Sequence, residues 1–304
     1  MSSNQTDTFT IVPMHVGTCW LGEDHVLGDD YSPDDRMEFA LVSFLVRSGG
    51  RVVLVDLGPK TLDYANEMFR RYGFFRVLPD GSTPDDLIQP RGNARDNLAR
   101  LGIRPEDVTD IVFTHLHADH PGLDDAADGG MCEDFPNAVF HVSRIGWDYN
   151  VARRTEGRWN SYLDVGFGDC MLRKMRDGKM IAHDNALIAP GLETIYLGGH
   201  SICSQAVRIR TQSGDVIIGS DDFYRYDLLA NAVIARISTS RQRLVEVSGM
   251  LADWALEGAV IVPVHDPVVI DLFDKHAEGW IDQARALSLD AGRGFRQRVP
   301  KTQA

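Results

Sequence analysis

Apolar residues along this chain fall into short runs, several of them separated by segments with helical spacing. FALVSFLVRS (39–48) and RVVLVDLG (51–58) are two such runs, joined at Gly49-Gly50. Two apolar runs separated by a glycine pair are typical of a β-hairpin. The second run ends on Asp56, with Gly58-Pro59 behind it. The pattern therefore predicts a hairpin whose second strand stops at an aspartate.

Helix and strand patterns alternate over the rest of the chain. Helical spacing predicts helices over 62–74, 93–103, most of 144–180 and 227–256. Strands are predicted over 138–143, 192–201, 205–221 with a turn at Ser213-Gly214, and 258–266. The last segment, 287–304, is rich in Gly, Arg and Gln, which predicts a loosely held tail.

Hairpins interleaved with helices indicate an α/β fold with two mixed sheets packed face to face and helices outside, rather than one wound parallel sheet. No repeat or linker divides the chain, so residues 1–304 are predicted to form a single domain. Four predicted strands end on a potential ligand, namely Asp56, His115, Asp221 and His265. Strand ends at one edge of a rigid scaffold are suited to present a functional site.

Composition narrows the class of protein. The hydrophobic content of 43% and charged content of 25% are ordinary globular values, which excludes disordered and fibrous classes. The net charge of −13 disfavours nucleic acid as a partner, because such a surface repels phosphate backbones. The N-terminus lacks a secretory pattern, and the longest apolar runs, such as 258–264, are too short to cross a bilayer, so no membrane partner is expected.

The number and spacing of the cysteines indicate the redox compartment of the protein. The four cysteines are widely scattered and form no CxxC pair: Cys19, Cys132, Cys170 and Cys203. Such a pattern favours reduced thiols over a disulfide framework or a zinc ribbon. A cytoplasmic location is therefore predicted.

The segment DIVFTHLHADHPG (110–122) crowds three of the ten histidines, with one aspartate, into a turn behind an apolar run. Imidazole nitrogens and carboxylate oxygens are the ligands of divalent transition metals. Four such groups this close cannot all reach one ion without strain, but they can divide between two. His115 and His117 are expected to serve one metal, and Asp119 and His120 its neighbour. The alternative is a polar loop with solvated histidines.

The His-x-His-x-Asp-His pattern resembles the signature of the metallo-β-lactamase superfamily, and this resemblance implies an αββα sandwich. It also implies three further ligands, which fit His200 in LGGHS, Asp221 in VIIGSD and His265 in IVPVHD. By resemblance, His200 joins the first metal, His265 joins the second, and Asp221 bridges both. Asp56 matches an aspartate that steadies the histidine loop, although a turn-forming role before Gly-Pro fits its local sequence equally well.

Within the superfamily, the chain resembles the N-acyl-homoserine lactone lactonases over most of residues 10–270. The resemblance lies in GTCWLGEDH, VLVDLGP, LARLGIRPEDVTDIVFTHLHADHPG, LGGHS, GSDDFY and PVHD. It places a tyrosine, here Tyr224, three positions after the bridging aspartate, where a phenol either stabilises developing charge or only packs over the site. The stretch 144–180 is expanded relative to the family, and we expect it to supply inserted helices that shape the substrate pocket. Its aromatic residues are Trp147, Tyr149, Trp159, Tyr162 and Phe167.

These features predict an enzyme that uses two divalent cations, expected to be Zn²⁺, to open a lactone or related cyclic ester. A hydroxide bridging the two metals attacks the carbonyl, Tyr224 helps to stabilise the oxyanion, and Asp119 passes the proton. The expected partners are a small-molecule substrate and, as in related lactonases, a second copy of the chain.

Three alternatives remain open at this point. The same metals could hydrolyse a phosphoester, an amide, a thioester or an aryl halide, although no Lys/Arg cluster near the motifs favours phosphate. A diiron redox protein of this superfamily usually carries an acidic residue in the motif and an added flavin-binding domain. A non-catalytic binding protein tends to leave gaps in the ligand set, whereas all seven positions are filled here.

Overall fold

A computed structural model describes residues 8–32, 34–71, 88–123, 130–156, 168–275 and 279–301. Over these residues the chain forms two mixed β-sheets with helices packed against them. The predicted α/β sandwich is therefore confirmed. The prediction for residues 157–167, in the middle of the 144–180 stretch, lies outside the described residues.

The first sheet has seven strands in the order β4-β1-β2-β3-β5-β6-β7. They are β1 (Thr10–Gly22), β2 (Arg36–Ser48), β3 (Arg51–Val55), β4 (Ile88–Pro90), β5 (Asp110–Val112), β6 (Val139–Ser143) and β7 (Met180–His183). β2 and β3 are antiparallel and pair Ser48 with Arg51, which confirms the predicted Gly49-Gly50 hairpin. β3, β5, β6 and β7 run parallel to one another.

The second sheet has five strands in the order β12-β11-β10-β9-β8. They are β8 (Leu187–Ala189), β9 (Leu192–Tyr196), β10 (Gln205–Thr211), β11 (Gly214–Ile218) and β12 (Val260–Val262). The β10–β11 hairpin confirms the predicted turn to within one residue, since Thr211 pairs with Gly214. β12 pairs in parallel with β11, and the other pairs are antiparallel.

The central strands of both sheets are buried on both faces, which explains why several of them are continuously apolar rather than alternating. On β3, Val53 and Val55 lie in the core shared with the second sheet, whereas Leu54 lies in the core beneath the helices of the first. On β11, Val216 and Ile218 face the first sheet. The intervening Ile217 faces the helices on the other side.

Nine helices lie within the described residues. They are α1 (Glu23–Leu27), α2 (Leu62–Arg71), α3 (Ala94–Arg100), α4 (Arg144–Thr155), α5 (Asp169–Arg176), α6 (Tyr226–Ala230), α7 (Arg241–Leu256), α8 (Pro267–Lys275) and α9 (Trp280–Arg298). α4 and α5 contact β7, whereas α7 and α9 contact β12. No helix of this part of the chain is long and apolar enough to span a membrane.

Two elements differ from the sequence prediction for local reasons. The predicted strands omit β1, because Pro13, Gly17 and the register shift between His15 and Gly17 interrupt its apolar pattern. The single helix predicted over 227–256 is wrong. It is divided into α6 and α7 by the non-helical segment 231–240, and the Ser240 side chain accepts the Arg243 N–H to begin α7.

The loosely held tail predicted for 287–304 is wrong up to Arg298, because α9 fills this region. Its glycines are sites of close helix packing rather than of loose structure. A Cβ on Gly292 would lie 2.8 Å from the Ala252 carbonyl oxygen, and one on Gly294 would lie 2.5 Å from that of Ala230. Phe295, beside them, is fully buried in the core beneath the second sheet.

The prediction of four reduced cysteines is also wrong. Cys132 and Cys170 form a disulfide with their Cα atoms 6.0 Å apart, whereas Cys19 and Cys203 are free and buried. The partners lie 38 residues apart, so their spacing along the chain carries no signal of the pairing. Disulfides persist mainly in oxidising compartments. Cysteine usage therefore does not support the cytoplasmic prediction.

Replacing Phe295 tests whether α9 is an integral part of the core. We expect Phe295→Ala to lower the free energy of unfolding by about 3–5 kcal/mol, because the change leaves a cavity at a fully buried site. Denaturant-induced unfolding, followed by circular dichroism, measures this loss. Arg293→Ala on the exposed face of α9 is the control and should change stability by only about 0.5 kcal/mol. Equal stability of the two variants would restore the tail interpretation.

Candidate functional site

The histidine-rich turn after β5 is held against the turn after β3. The Asp56 N–H donates to the Val112 carbonyl (3.0 Å), and the Leu57 N–H donates to the His120 carbonyl (2.8 Å). Within the turn, the His120 N–H donates to the His117 carbonyl (3.1 Å). The parallel pairing of β3 with β5 brings the two turns to one edge of the sheet, so the turn carrying the histidines has a fixed backbone.

The seven predicted metal ligands converge at this edge. They form two adjoining groups, His115, His117, His200 and Asp221 in one and Asp119, His120 and His265 in the other. Within each group the nitrogen and oxygen atoms that could bind a cation lie within 4.8 Å of one another. This division matches the assignment of ligands to two metals that the resemblance implies.

Asp221 lies between the two groups and turns one oxygen toward each. Its Oδ2 lies 3.6 Å from Nε2 of His115 and 3.3 Å from Nε2 of His200. Its Oδ1 lies 3.3 Å from Nε2 of His120 and 3.1 Å from Nε2 of His265. A single carboxylate can thus serve both groups through separate oxygens, which is the geometry of a bridging ligand.

The outward ring nitrogens of three histidines are anchored. Nδ1 of His265 lies 2.9 Å from the Ala40 carbonyl, and Nδ1 of His200 lies 3.1 Å from the Ile237 carbonyl. Nδ1 of His120 lies 2.9 Å from Oδ2 of Asp56. A carbonyl or carboxylate acceptor fixes the proton on Nδ1 and leaves Nε2 free to bind a metal.

Asp56 orients the histidine turn. Its Oδ1 accepts the Thr114 N–H (2.8 Å), and its Oδ2 accepts the Thr114 hydroxyl (2.6 Å) in addition to His120. The residue is buried and has φ of +58°, a left-handed conformation that costs a non-glycine residue energy. These contacts favour the loop-steadying role over that of a simple turn former.

Burial and charge act together on the site's titratable groups. Burial, reinforced by His120, lowers the pKa of His115 well below its usual value, and burial with the nearby His200 does the same for His117. Burial alone would raise the pKa of Asp221, but the surrounding histidines hold it well below its usual range. His115 and His117 are thereby kept neutral near an ionised Asp221, and these are the protonation states in which such groups bind metals. Burial alone would lower the pKa of His120 and His265, but the nearby carboxylates of Asp119 and Asp221 raise it.

The residues present fit a pair of divalent cations. Nε2 of His115 is buried and makes no hydrogen bond to any described residue, and Nδ1 of His117 faces Nε2 of His200 at 2.8 Å. Buried polar atoms in proteins are nearly always satisfied, so inward-facing nitrogens of this kind require a partner that a cation would provide. Five imidazoles with two carboxylates form a nitrogen and oxygen donor set typical of zinc and similar transition metals.

A pocket opens over the two groups and exposes Asp119 more than the other ligands. Beside the metal-binding side chains, its wall is apolar and consists of Cys19, Leu21, Phe39, Leu41, Phe69, Ala118 and Ile237, with Tyr224. The site can therefore receive a small molecule whose non-reacting part is apolar.

Tyr224 lines this pocket. Its hydroxyl lies 3.3 Å from Nδ1 of His200, and its ring packs edge-on against Phe39 with the ring centroids 5.4 Å apart. The tyrosine thus packs at the pocket wall, and its hydroxyl contacts the ring nitrogen of His200 that faces away from Asp221.

Of the five aromatic residues in the 144–180 stretch, the structure describes two, and neither lines the pocket. Trp147, on α4, packs in the core beneath the first sheet, and Tyr149 is 40% exposed. Trp159, Tyr162 and Phe167 lie outside the described residues. In the described part of the chain, Phe39 and Phe69 supply the pocket's aromatic surface together with Tyr224.

Sequence reasoning also missed the groups that hold the ligands. The carbonyls of Ala40 and Ile237 have no side-chain signature, so no motif identifies them. Asp222, whose pKa is raised by burial to about 7, accepts the backbone N–H of His200 at 2.8 Å. In the sequence, Asp222 is marked only by the doubled aspartate in GSDDFY.

Comparison with known proteins agrees with this architecture. The profile of the metallo-beta-lactamase superfamily matches residues 38–123, from β2 through the histidine-rich turn. An N-acyl homoserine lactonase from a Bacillus species is 27% identical over 220 residues, which cover 71% of this chain and 77% of that protein.

Two solved structures show the same fold. A probable metal-dependent hydrolase from Staphylococcus aureus superposes with a TM-score of 0.64 at 16% identity, covering 86% of this chain and 91% of the other. AidC, a dizinc quorum-quenching lactonase in complex with the product N-hexanoyl-L-homoserine, superposes with a TM-score of 0.60 at 16% identity, covering 86% and 92%. At this identity the likeness concerns the fold.

Residues 38–123 are therefore similar to the metallo-beta-lactamase superfamily, and the described residues have the metallo-beta-lactamase fold. With N-acyl homoserine lactonases among its relatives, the chain is a metal-dependent hydrolase.

Replacing Asp56 tests its role in orienting the histidine turn. Asparagine tolerates the left-handed backbone, so Asp56→Asn keeps the turn but places an amide where Thr114 and His120 both donate. We expect metal affinity to fall about 10–100-fold, as for other residues that orient metal ligands. Titration of the metal-free protein with zinc against a competing chelator measures the change. Unchanged affinity would return Asp56 to the role of a turn former.

Proposed function

We propose that this chain is a dinuclear hydrolase that opens a lactone or a related cyclic ester. The observation that carries the proposal is the position of Asp221, whose two oxygens face two separate histidine groups at 3.1–3.6 Å. The names of the Bacillus relative and of AidC support a lactone as substrate and zinc as the metal.

In this proposal, His115, His117 and His200 would hold one cation and Asp119, His120 and His265 would hold the other, with Asp221 able to contribute an oxygen to each. When bound, two such cations activate water as a nucleophile and polarise the carbonyl of an ester. The residues of the chain supply the surroundings of that chemistry. Asp56 and the carbonyls of Ala40 and Ile237 keep the histidines oriented, so little reorganisation is needed during the reaction.

Two side chains act on the substrate itself. Asp119 is the most solvent-accessible of the proposed ligands and faces the pocket, so its carboxylate can carry a proton to the departing alkoxide. The Tyr224 hydroxyl, at the pocket wall, can donate a hydrogen bond to the ester oxygen that gains negative charge.

The pocket wall favours an uncharged ester over a phosphate. Among the described residues that line it, none is Lys or Arg, and most of the wall is apolar. Phosphate recognition usually relies on such cationic side chains. The acyl or ring portion of a lactone instead buries apolar surface against Leu21, Phe39 and Leu41.

Metal analysis combined with a hydrolysis screen tests the proposal. We expect two equivalents of metal per chain and turnover of short-chain, long-chain or aromatic lactones in preference to phosphotriesters and thioesters. Asp221→Ala should abolish turnover and lower the metal content, because the bridging carboxylate is lost. Asp177→Asn, an exposed substitution, is the control. Full lactone hydrolysis by metal-free protein, or preference for another substrate class, would contradict the proposal.

Tyr224→Phe separates the two roles of the tyrosine. The variant keeps the ring that packs on Phe39 and removes only the hydroxyl. If the hydroxyl stabilises developing charge, kcat should fall by about 10–1000-fold while the metal content stays at the wild-type level. An unchanged kcat would assign Tyr224 to packing alone.

A further inference from the structure

The loop that carries His200 is held on one side by the start of α7. Arg243 donates to the Leu197 carbonyl through Nε (2.9 Å) and through a terminal nitrogen (2.7 Å). The Thr239 hydroxyl donates to the Gly198 carbonyl (2.7 Å), and the Thr239 N–H donates to the Gly199 carbonyl (2.7 Å). Three successive carbonyls before the histidine are therefore fixed from this side.

The opposite side of the loop is held by Asp222. Its Oδ1 accepts the backbone N–H of His200 at 2.8 Å, and the side chain is buried. Its Oδ2 is buried and makes no short hydrogen bond in the described part of the chain, and burial raises the pKa of this carboxyl although the nearby Ser204 side chain opposes that rise. A buried carboxylate oxygen without a partner is costly. Such a carboxylate is unfavourable for stability alone, which points to a functional reason for its presence.

Gly199 shows independently that the loop and this carboxylate are closely fitted. A Cβ at Gly199 would lie 2.2 Å from Oδ1 of Asp222, a distance that side-chain carbons essentially never reach. Aspartate is short, and this one is held by its hydrogen bond to His200. The absence of a side chain at Gly199 is therefore what allows the carboxylate to reach the N–H of the next residue.

We propose that Asp222 is a positioning residue that sets the place of His200 relative to the bridging carboxylate of Asp221. The two aspartates share one short turn, Ser220–Asp222, so their separation is fixed by the backbone. Asp222 accepts the backbone N–H of His200, and Oδ2 of Asp221 lies 3.3 Å from Nε2 of the same histidine. The inference rests on the metal pair proposed above, but not on the identity of the substrate.

Metal binding by two Asp222 variants tests this role. Cobalt(II) titration of the metal-free protein against a chelator gives a dissociation constant for each equivalent, and the visible spectrum reports the ligand geometry. In Asp222→Ala, one equivalent should bind about 10–100-fold more weakly with an altered spectrum, while the other keeps its affinity. Asp222→Asn retains an oxygen that can accept the His200 N–H, so it should recover most of the lost affinity. Asp177→Asn is the matched control for removal of a carboxylate.

A double-mutant cycle with Gly199 tests the contact itself. Gly199→Ala alone should weaken the same equivalent, because its methyl group displaces the Asp222 carboxylate. In the Asp222→Ala background the same change should cost much less, since the clashing oxygen is gone. Strong non-additivity of this kind is the signature of two groups in direct contact.

The possible outcomes separate the two proposals. If wild-type protein binds no metal, the proposed function fails. If the wild type binds two equivalents and Asp222→Ala binds both with unchanged affinity, the positioning role is overturned while the proposed function stands. Equal weakening of both equivalents with a lowered melting temperature, or the same loss in Asp222→Asn as in Asp222→Ala, would overturn it as well. If Asp222→Ala does not fold, the other two variants decide. The positioning role is supported if Asp222→Asn binds metal with wild-type affinity and Gly199→Ala weakens binding of one equivalent only. Any other combination rejects the role.

Discussion

The structure depends on one buried carboxylate, that of Asp221, held among four histidine nitrogens at 3.1–3.6 Å. A charge taken out of water is tolerated only where partners of opposite charge or hydrogen-bond donors surround it. Here the partners are imidazole Nε2 atoms, which bind cations when the ring is neutral and can donate to the carboxylate only when the ring is protonated. The arrangement therefore stabilises Asp221 most fully with cations between the carboxylate and the rings, so the surrounding protein serves mainly to keep those rings aimed inward.

The inward orientation of the histidine rings is set by backbone geometry at the ends of buried strands. Asp56 and Ser220 both have left-handed φ values, +58° and +56°, next to the two turns that supply ligands. Each such conformation costs about 1–3 kcal/mol in a non-glycine residue and persists only where the surroundings over-determine it. The hydrogen bonds of Asp56 to Thr114 and His120 do so at the first turn. The strands behind these turns are buried on both faces, which gives the strained residues a rigid base.

How far the sequence predicts this molecule depends on whether a feature is local. The cluster from His115 to His120 is contiguous, so its chemistry was evident, and the hairpin at Gly49-Gly50 follows from turn preferences. His200 is identified as a ligand only through resemblance to a known family, whereas His265 is marked by its position at a strand end and needs the resemblance only for its assignment to a metal. The Cys132–Cys170 disulfide and the packing of α9 depend on tertiary proximity. Backbone acceptors such as the Ala40 carbonyl cannot be predicted from the sequence, because every residue carries a carbonyl group.

The proposed ligands come from both sheets, and this relates the site to the packing of the fold. His115, His117, Asp119 and His120 follow a strand of the first sheet, whereas His200, Asp221 and His265 follow strands of the second. Each proposed cation would take ligands from both sheets, so it would bind only when the two sheets are packed together. A ligand that binds only the folded state stabilises it by about 2.7 kcal/mol at a free concentration one hundred times its dissociation constant. Binding of the proposed cations would therefore be coupled to packing of the apolar core between the sheets, and the residues that orient the ligands would contribute to both.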